Sequence, residues 1–439
     1  MRWQRAQGPV RASVVVLAAS FLSLVTVLSV PGVPGTGVCA APAPVKLRLA
    51  FWGEAAEGAT KNAFYDQVLQ RFHARHPEVE IILDMTPSRD YEQELFVQTA
   101  AGSPPDVMVV RDMSLQVMVR QGLLLDLTQF INKEKYPLNE FFGEVVNVYR
   151  YDGKLYALPP GFTTLVMLYN RDLFEAAALA TPKKGWTWDD FAATAQKLTQ
   201  KPLGPGKFSQ YGVFVNEWDG FWTPFVRQNG GDILNAAGTQ AVLDSPQNQE
   251  TFQFLAKLKN QWHVSPSFEE AGAHGWWDGL FLDQVVGMVQ LGYWTVGIYK
   301  DAKFRWGFAE LPQQKRASTL IYSSGYGISS KTKYPELAWE LVKELVSADA
   351  QRAGLDIPSR AAVAAEVLTQ KQKAGNPENL RAFLDSLAYA QPAPQTPNFS
   401  EMYRIINGQV WQILTGEKNV QDALNEANVQ VNNLLRQTK

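Results

Sequence analysis

A chain of 439 residues is too long to close around one ordinary core, so two domains or lobes are expected. Its 41 basic and 43 acidic residues leave a formal charge of −2 with no basic stripe, which argues against nucleic-acid binding. An apolar share of 46% excludes extended disorder.

The first forty residues differ in kind. Arg2, Arg5 and Arg11 precede an apolar run from Ala12 to Val30, and small residues follow up to Ala40. That order reads as a secretory signal, residues 1–40, cleaved near Ala40; an uncleaved membrane anchor is the alternative. Cleavage removes three arginines and no acids, moving the formal charge to −5. It also removes Cys39, the one cysteine. Val38 is larger than lipid processing usually accepts, which disfavours a lipid anchor on Cys39. The expected location is the periplasm or the outer surface of the membrane. A large core needs no disulfides there.

After the leader, VKLRLAFWG predicts a strand, and the spacing of Phe64, Val68 and Phe72 predicts a helix. HPEVEIILDM predicts a second strand, YEQELFVQTA a second helix and DVMVV a third strand, with a further helical segment from Leu115 to Arg120. Strands alternating with helices of this length predict a parallel sheet covered on both faces. In YALPPGFTTLVMLYNRDLF, Tyr156–Phe174, Pro159, Pro160 and Gly161 interrupt the chain ahead of an apolar strand. TWDDF sets Thr187 at a helix N-cap with Asp190 three residues on. Two helices are then expected with Phe254, Leu258 and Trp262 on one face and with Leu337, Leu341 and Leu345 on another. Residues 391–397 form a proline-rich connection, and two helices broken at Gly416 end the chain.

Catalytic motifs are scarce. His73 and His76 sit at a helix end without a carboxylate ligand pattern, so a solvated terminus is favoured over zinc. Neither GxSxG, nor GxxxxGK[ST], nor GxGxxG after a strand is present. No catalytic residue, cofactor or metal is expected. Aromatic residues beside acids and glycines stand out instead: WGE at Trp52–Glu54, NEWDGFW at Asn216–Trp222, GWWDG at Gly275–Gly279, LGYWTVG at Leu291–Gly297 and YSSGYG at Tyr322–Gly327. A sugar stacks its C–H face on an indole and donates its hydroxyls to neighbouring acids, so these clusters suit a carbohydrate; core packing is the competing role for each ring.

The run DGKLYALPPGFTTLVMLYNRDLFEAAAL, followed by WTWDDFAATAQKLT, resembles the central signature of family 1 extracellular solute-binding proteins, the sugar-binding components of ABC importers. SPPDVMVV with QGLLLDLT, VGMVQLGYW, SSGYGISSKTKYPELAWELVKELVS and the IPSR segment at Ile357 extend the resemblance over nearly the whole mature chain. Two features depart from the family: LDQVV replaces a glycine-lysine turn before Gly287, and the leader lacks a convincing lipobox.

The resemblance implies an α/β, two-lobed clamp of the periplasmic-binding-protein type, each lobe a mainly parallel sheet flanked by helices. The first lobe would be residues 41–158 and 311–360, the second 159–310 and 361–439. Leu158, Pro159, Pro160, Gly161, Glu310 and Leu311 would form the hinge. From the first lobe, Trp52, Glu54, Arg111, Asp112, Tyr322 and Tyr326 would face the cleft. From the second, Phe162, Trp218, Asp219, Trp222, Trp277, Asp278, Tyr293 and Trp294 would do so, with Trp294 the foremost stacking ring. Arg360 is a further candidate, with a structural ion pair as its competing role. The implied partners are a carbohydrate and the membrane permease subunits of an ABC transporter, for a monomeric protein. A polyol, peptide or polyamine ligand on the same fold is the alternative, and a carbohydrate-active hydrolase a more distant one.

Overall fold

The computed structural model describes residues 44–53, 58–204, 207–354, 356–373, 375 and 377–437. The expected signal segment and Glu54 lie outside the described residues. In chain order the strands are β1 (Val45–Trp52), β2 (Val79–Thr86), β3 (Val107–Arg111), a short ribbon of β4 (Arg150–Tyr151) and β5 (Lys154–Leu155), β6 (Ala157–Leu158), β7 (Gly161–Thr164) and β8 (Val166–Asn170). There follow β9 (Gln200–Gly204), β10 (Lys207–Val213), β11 (Val286–Leu291), β12 (Trp306–Ala309), β13 (Thr319–Tyr322), β14 (Ser324–Ile328), β15 (Ile357–Pro358) and β16 (Ala390–Gln391).

Two five-stranded sheets define the lobes, ordered β2-β1-β3-β14-β6 and β12-β8-β11-β10-β9. In the first, β1 runs parallel to β2 and β3, as the helix-connected segments require. Strand β14 is antiparallel to β3 and β6, however. In the second sheet only β10 and β11 are parallel. Both sheets are therefore mixed rather than mainly parallel. Strands β6, β8 and β14 each enter their sheet from another sheet, following β5, β7 and β13, rather than by a helical crossover from a neighbouring strand, which would return the chain parallel.

A third sheet, β15-β7-β13-β16, joins the lobes. Strand β7 follows β6 of the first sheet and precedes β8 of the second, while β13 follows β12 of the second and precedes β14 of the first. The two crossing strands pair antiparallel at Thr164–Ile321 and Thr163–Tyr322. The carbonyl of Pro159 accepts from the Ser359 hydroxyl at 2.5 Å and that of Pro160 from the Ser359 N–H at 3.3 Å. Leu158 to Gly161 thus lies between two sheets, stitched to the strand that ends at Pro358.

The second crossing falls later than residues 310 and 311. Glu310 accepts from the Trp186 indole at 2.8 Å, Gln313 bridges to Thr187, and the Lys315 N–H donates to Gln228 at 3.0 Å. These bonds hold the segment from Glu310 to Lys315 on the second lobe, and the chain crosses near Tyr322–Ser324.

The helical faces follow sequence spacing where packing permits. Val68 and Phe72 are fully buried on the helix Gly58–Arg75. Leu341 and Leu345 are buried on Pro335–Leu345 with Trp339, which stacks on Phe130. Each such side chain contributes about 1.5–3 kcal/mol of burial. The capping box of Thr187 and Asp190 forms, and Gly416 ends the helix Phe399–Thr415 at φ 76°. One face turns differently. The helix Pro246–Ala256 buries Phe252 and Leu255 and widens into a π-helical turn over Lys257–Gln261, in which Leu258 is buried while Trp262 beyond it is exposed.

Candidate ligand cleft

Strand β3 delivers Arg111 and Asp112 to the rim of the first sheet. The Arg111 guanidinium lies 4.8 Å over Trp52 and donates to Glu92 at 3.2 Å and to the Ser88 hydroxyl at 2.7 Å. Its charge is thereby matched beside the cleft. Asp112 is buried, and its backbone N–H donates to the Ser323 carbonyl of the β13–β14 link at 3.2 Å. Burial pushes its carboxyl up to about 7; Arg111 opposes that rise, and Asp219 adds to it.

Asp219 comes from the other lobe. It opens the helix Asp219–Gln228, where its acidic side chain suits the positive helix end. It sits deep in the protein yet keeps part of its surface accessible, as a cavity-lining group does. Burial pushes this carboxyl up to about 6, with the Asn407 amide opposing the rise. Two acids drawn from opposite lobes thus feel each other's charge.

Four rings gather beside them. Trp218 stacks on Tyr322 at 6.3 Å and 16°, and meets Trp277 at 6.2 Å and Trp294 edge-on at 6.4 Å. Trp294 also approaches Tyr322 at 6.5 Å and is 38% exposed. The Tyr322 hydroxyl is buried without a hydrogen-bond partner, and the charges of Asp219 and Asp112 both reach it. Glycine seats two of the indoles. A Cβ on Gly220 would fall 2.3 Å from the Trp218 ring, and one on Gly292 would fall 2.1 Å from Trp294. We expect Gly292→Ala to displace Trp294 and to weaken ligand binding about tenfold, the scale of one lost aromatic contact, with little change in thermal midpoint. A calorimetric titration showing wild-type affinity would contradict that seating role.

The structure therefore assembles Trp52, Arg111, Asp112, Trp218, Asp219, Trp277, Trp294 and Tyr322. Asp278, next to Trp277, accepts from the Tyr299 hydroxyl at 2.8 Å and is half-buried. Tyr293 and Tyr326 are buried in a neighbouring polar group. Lys371 donates to the Tyr293 hydroxyl at 2.9 Å, the Tyr326 and Tyr65 hydroxyls meet at 3.2 Å, and the charge of Asp356 reaches all four side chains.

Three expected positions are corrected. Trp222 is fully buried against Phe252 and Tyr403, because NEWDGFW becomes helical at Asp219 and turns this ring into the core. Phe162 is 1% exposed and packs edge-on against Phe142 within the crossing sheet. Arg360 lies over Phe141, pairs with Glu140, and donates to the Tyr136 hydroxyl and the Val346 carbonyl, which is a structural role. The sequence reading did not single out Tyr65, Asp356 or Lys371, each a single residue outside any motif, which chain crossing brings together with Tyr293 and Tyr326.

Among the described residues no cluster of side chains suits a metal ion, and no helix is long and apolar enough to cross a membrane. His76 instead pairs with Glu78 at 3.5 Å. A separate surface hollow of about 570 Å³ contains Arg227, Asp232 and Arg316 but none of the cleft residues. Its buried Arg227 is paired with Asp232 at 3.3 Å.

A clamp with acids and rings converging from two mixed α/β lobes is the architecture of a solute-binding protein. The family described as bacterial extracellular solute-binding proteins matches residues 67–382, and the chain belongs to that family. The maltotriose-binding protein of Pyrococcus abyssi is 24% identical over 364 residues, covering 81% of this chain and 75% of that protein. The maltodextrin-binding protein MdxE of Bacillus subtilis is also 24% identical, over 80% of this chain and 82% of its own. The ABC substrate-binding protein Lmo0181 of Listeria monocytogenes, solved in complex with cycloalternan, shares the fold with a TM-score of 0.79. It is 23% identical and covers 89% of this chain and 99% of that one.

Proposed function

We propose that this protein captures a sugar or short oligosaccharide between its lobes and delivers it, chemically unchanged, to the membrane subunits of an ABC importer. The observation that carries the reading is the group of Trp218, Trp277, Trp294 and Tyr322 beside Asp112 and Asp219. Indole faces accept the C–H face of a pyranose, and carboxylates accept its hydroxyls. The maltotriose, maltodextrin and cycloalternan named for the relatives agree with such a ligand.

Binding and delivery need two states. Ligand contacts made by both lobes favour the closed one, and only that difference in affinity shifts the equilibrium. The lobe limits expected from the sequence, with the second crossing moved to Tyr322–Ser324, give the moving bodies. Leu158–Gly161 and the β13–β14 link absorb the rotation. Hydrolysis is disfavoured by the acids themselves. A glycosidase separates its two carboxyls into acid and base by opposite shifts, whereas burial raises both Asp112 and Asp219.

Mature protein titrated with mono- and oligosaccharides should change its tryptophan fluorescence with one class of sugar and return that sugar intact. No response across the panel would exclude a sugar ligand, and turnover products would exclude a pure binding role. Trp294→Ala should weaken binding by about 1–3 kcal/mol, the cost of a lost aromatic contact. Wild-type affinity in that variant would place Trp294 outside the ligand contact.

A further inference from the structure

Strand β11 is buried along its whole length, yet one amide, Gln290, interrupts its apolar run and is only 1% exposed. Its Nε2 donates to the Gly220 carbonyl at 2.7 Å and to the Phe221 carbonyl at 3.3 Å. Both partners can only accept, so the NH₂ group must face them. The Oε1 of the same side chain is buried without a hydrogen-bond partner. A buried orphan acceptor is costly, which marks the donor half of the amide as the part this position needs.

The need comes from Pro224, inside the helix Asp219–Gln228. In an α-helix the Gly220 carbonyl would accept from the N–H of residue 224, and proline has none. A proline ring also presses the carbonyl four residues earlier out of the helical line. Gly220 and Pro224 are both buried, where an unpaired carbonyl is costly, and the Gln290 amide supplies the missing donor. The same turn begins with Trp218, its ring against Gly220, and with Asp219. Strand β11 leads on to Gly292 and to Trp294, which meets Trp218 edge-on at 6.4 Å.

We propose that Gln290 is a positioning residue for ligand capture: by replacing the hydrogen bond that Pro224 removes, it clamps the first turn of the helix Asp219–Gln228 to β11 and sets the Trp218 ring against Trp294. The inference rests on the reading of this cleft as the sugar site. Gln290 is too deeply buried to meet the ligand and acts through the backbone of Gly220 and Phe221.

Because Pro224 creates the need, removing it should remove the dependence. Gln290→Met keeps the side-chain length without the donor. In mature protein labelled with ¹⁵N-tryptophan, the Trp218 indole resonance, assigned with Trp218→Phe, should shift in Gln290→Met. Affinity for the sugar that the panel selects should fall about tenfold. Pro224→Ala gives the helix its own N–H and should bind about as tightly as wild type. Gln290→Met combined with Pro224→Ala should recover most of the affinity and return the resonance to its wild-type position, a coupling that a packing defect at Gln290 would not show. An unshifted resonance in folded Gln290→Met, or a double variant no better than Gln290→Met, would overturn the proposal. Where Gln290→Met does not fold, the double variant is read alone: a wild-type Trp218 resonance supports the proposal, and a displaced one or an unfolded chain overturns it. If unaltered protein binds no member of the sugar panel, the sugar reading fails, while the indole resonance still decides whether Gln290 seats Trp218.

Discussion

Asp112→Asn is expected to make the protein more stable at pH 8 and worse at holding its ligand. The carboxyl is buried and raised to about 7, so the folded state binds its proton more tightly than the unfolded chain does. Between the unfolded value near 3.8 and about 7, the native state keeps a proton that the unfolded state releases, and stability falls as pH rises through that window. Above about 7 the full cost of a buried charge is present. The amide removes it. A gain on the order of 1–3 kcal/mol at pH 8, with a flatter profile between about 4 and 7, should appear in thermal unfolding. Ligand affinity should fall by ten- to a hundredfold, because hydrogen bonds to a charged acceptor contribute about 1.5–3 kcal/mol. An unchanged unfolding midpoint at pH 8 would show that the charge carries no such cost. The opposite signs of the two effects would mark the acid as kept for binding rather than folding.

Gly161→Ala should damage both folding and closure. A Cβ at this position would meet the Asp356 Cβ at 2.7 Å and the Ile357 carbonyl oxygen at 2.8 Å. The oxygen is backbone, and Ile357 is paired to Phe162 in the crossing sheet, so neither side can yield cheaply. Overpacking of this kind costs about 1–3 kcal/mol. Displacing β15 from β7 would also alter the strand that links the lobes, so ligand affinity should change although no ligand contact is touched. Urea unfolding together with a sugar titration would show both effects; a variant as stable as wild type would mean that β15 can move freely.

Much of this architecture was legible in the residues. The strands at Val45–Trp52, Val79–Thr86 and Val107–Arg111 and the capping box at Thr187 follow from local periodicity and hydrogen-bonding chemistry, which neighbouring residues determine. The rings of the cleft were legible in part, because Trp218, Trp277 and Trp294 stand beside glycines and acids in aperiodic stretches. Trp222 belongs to the same stretch as Trp218 yet faces the core. The difference is set by where the helix begins, and strings of aromatic and acidic residues do not mark that boundary.

By itself, the chain determined its α/β class, the interruption at Pro159–Gly161 and the aromatic and acidic character of the candidate cleft, since these depend on residue type and short-range spacing. Tertiary structure alone decided strand direction, the later second crossing at Tyr322–Ser324, and the meeting of Asp112 with Asp219 and of Asn407 with Trp222. Those outcomes depend on contacts between segments a hundred or more residues apart, whose partners are chosen by burial of both sheets at once rather than by any local pattern.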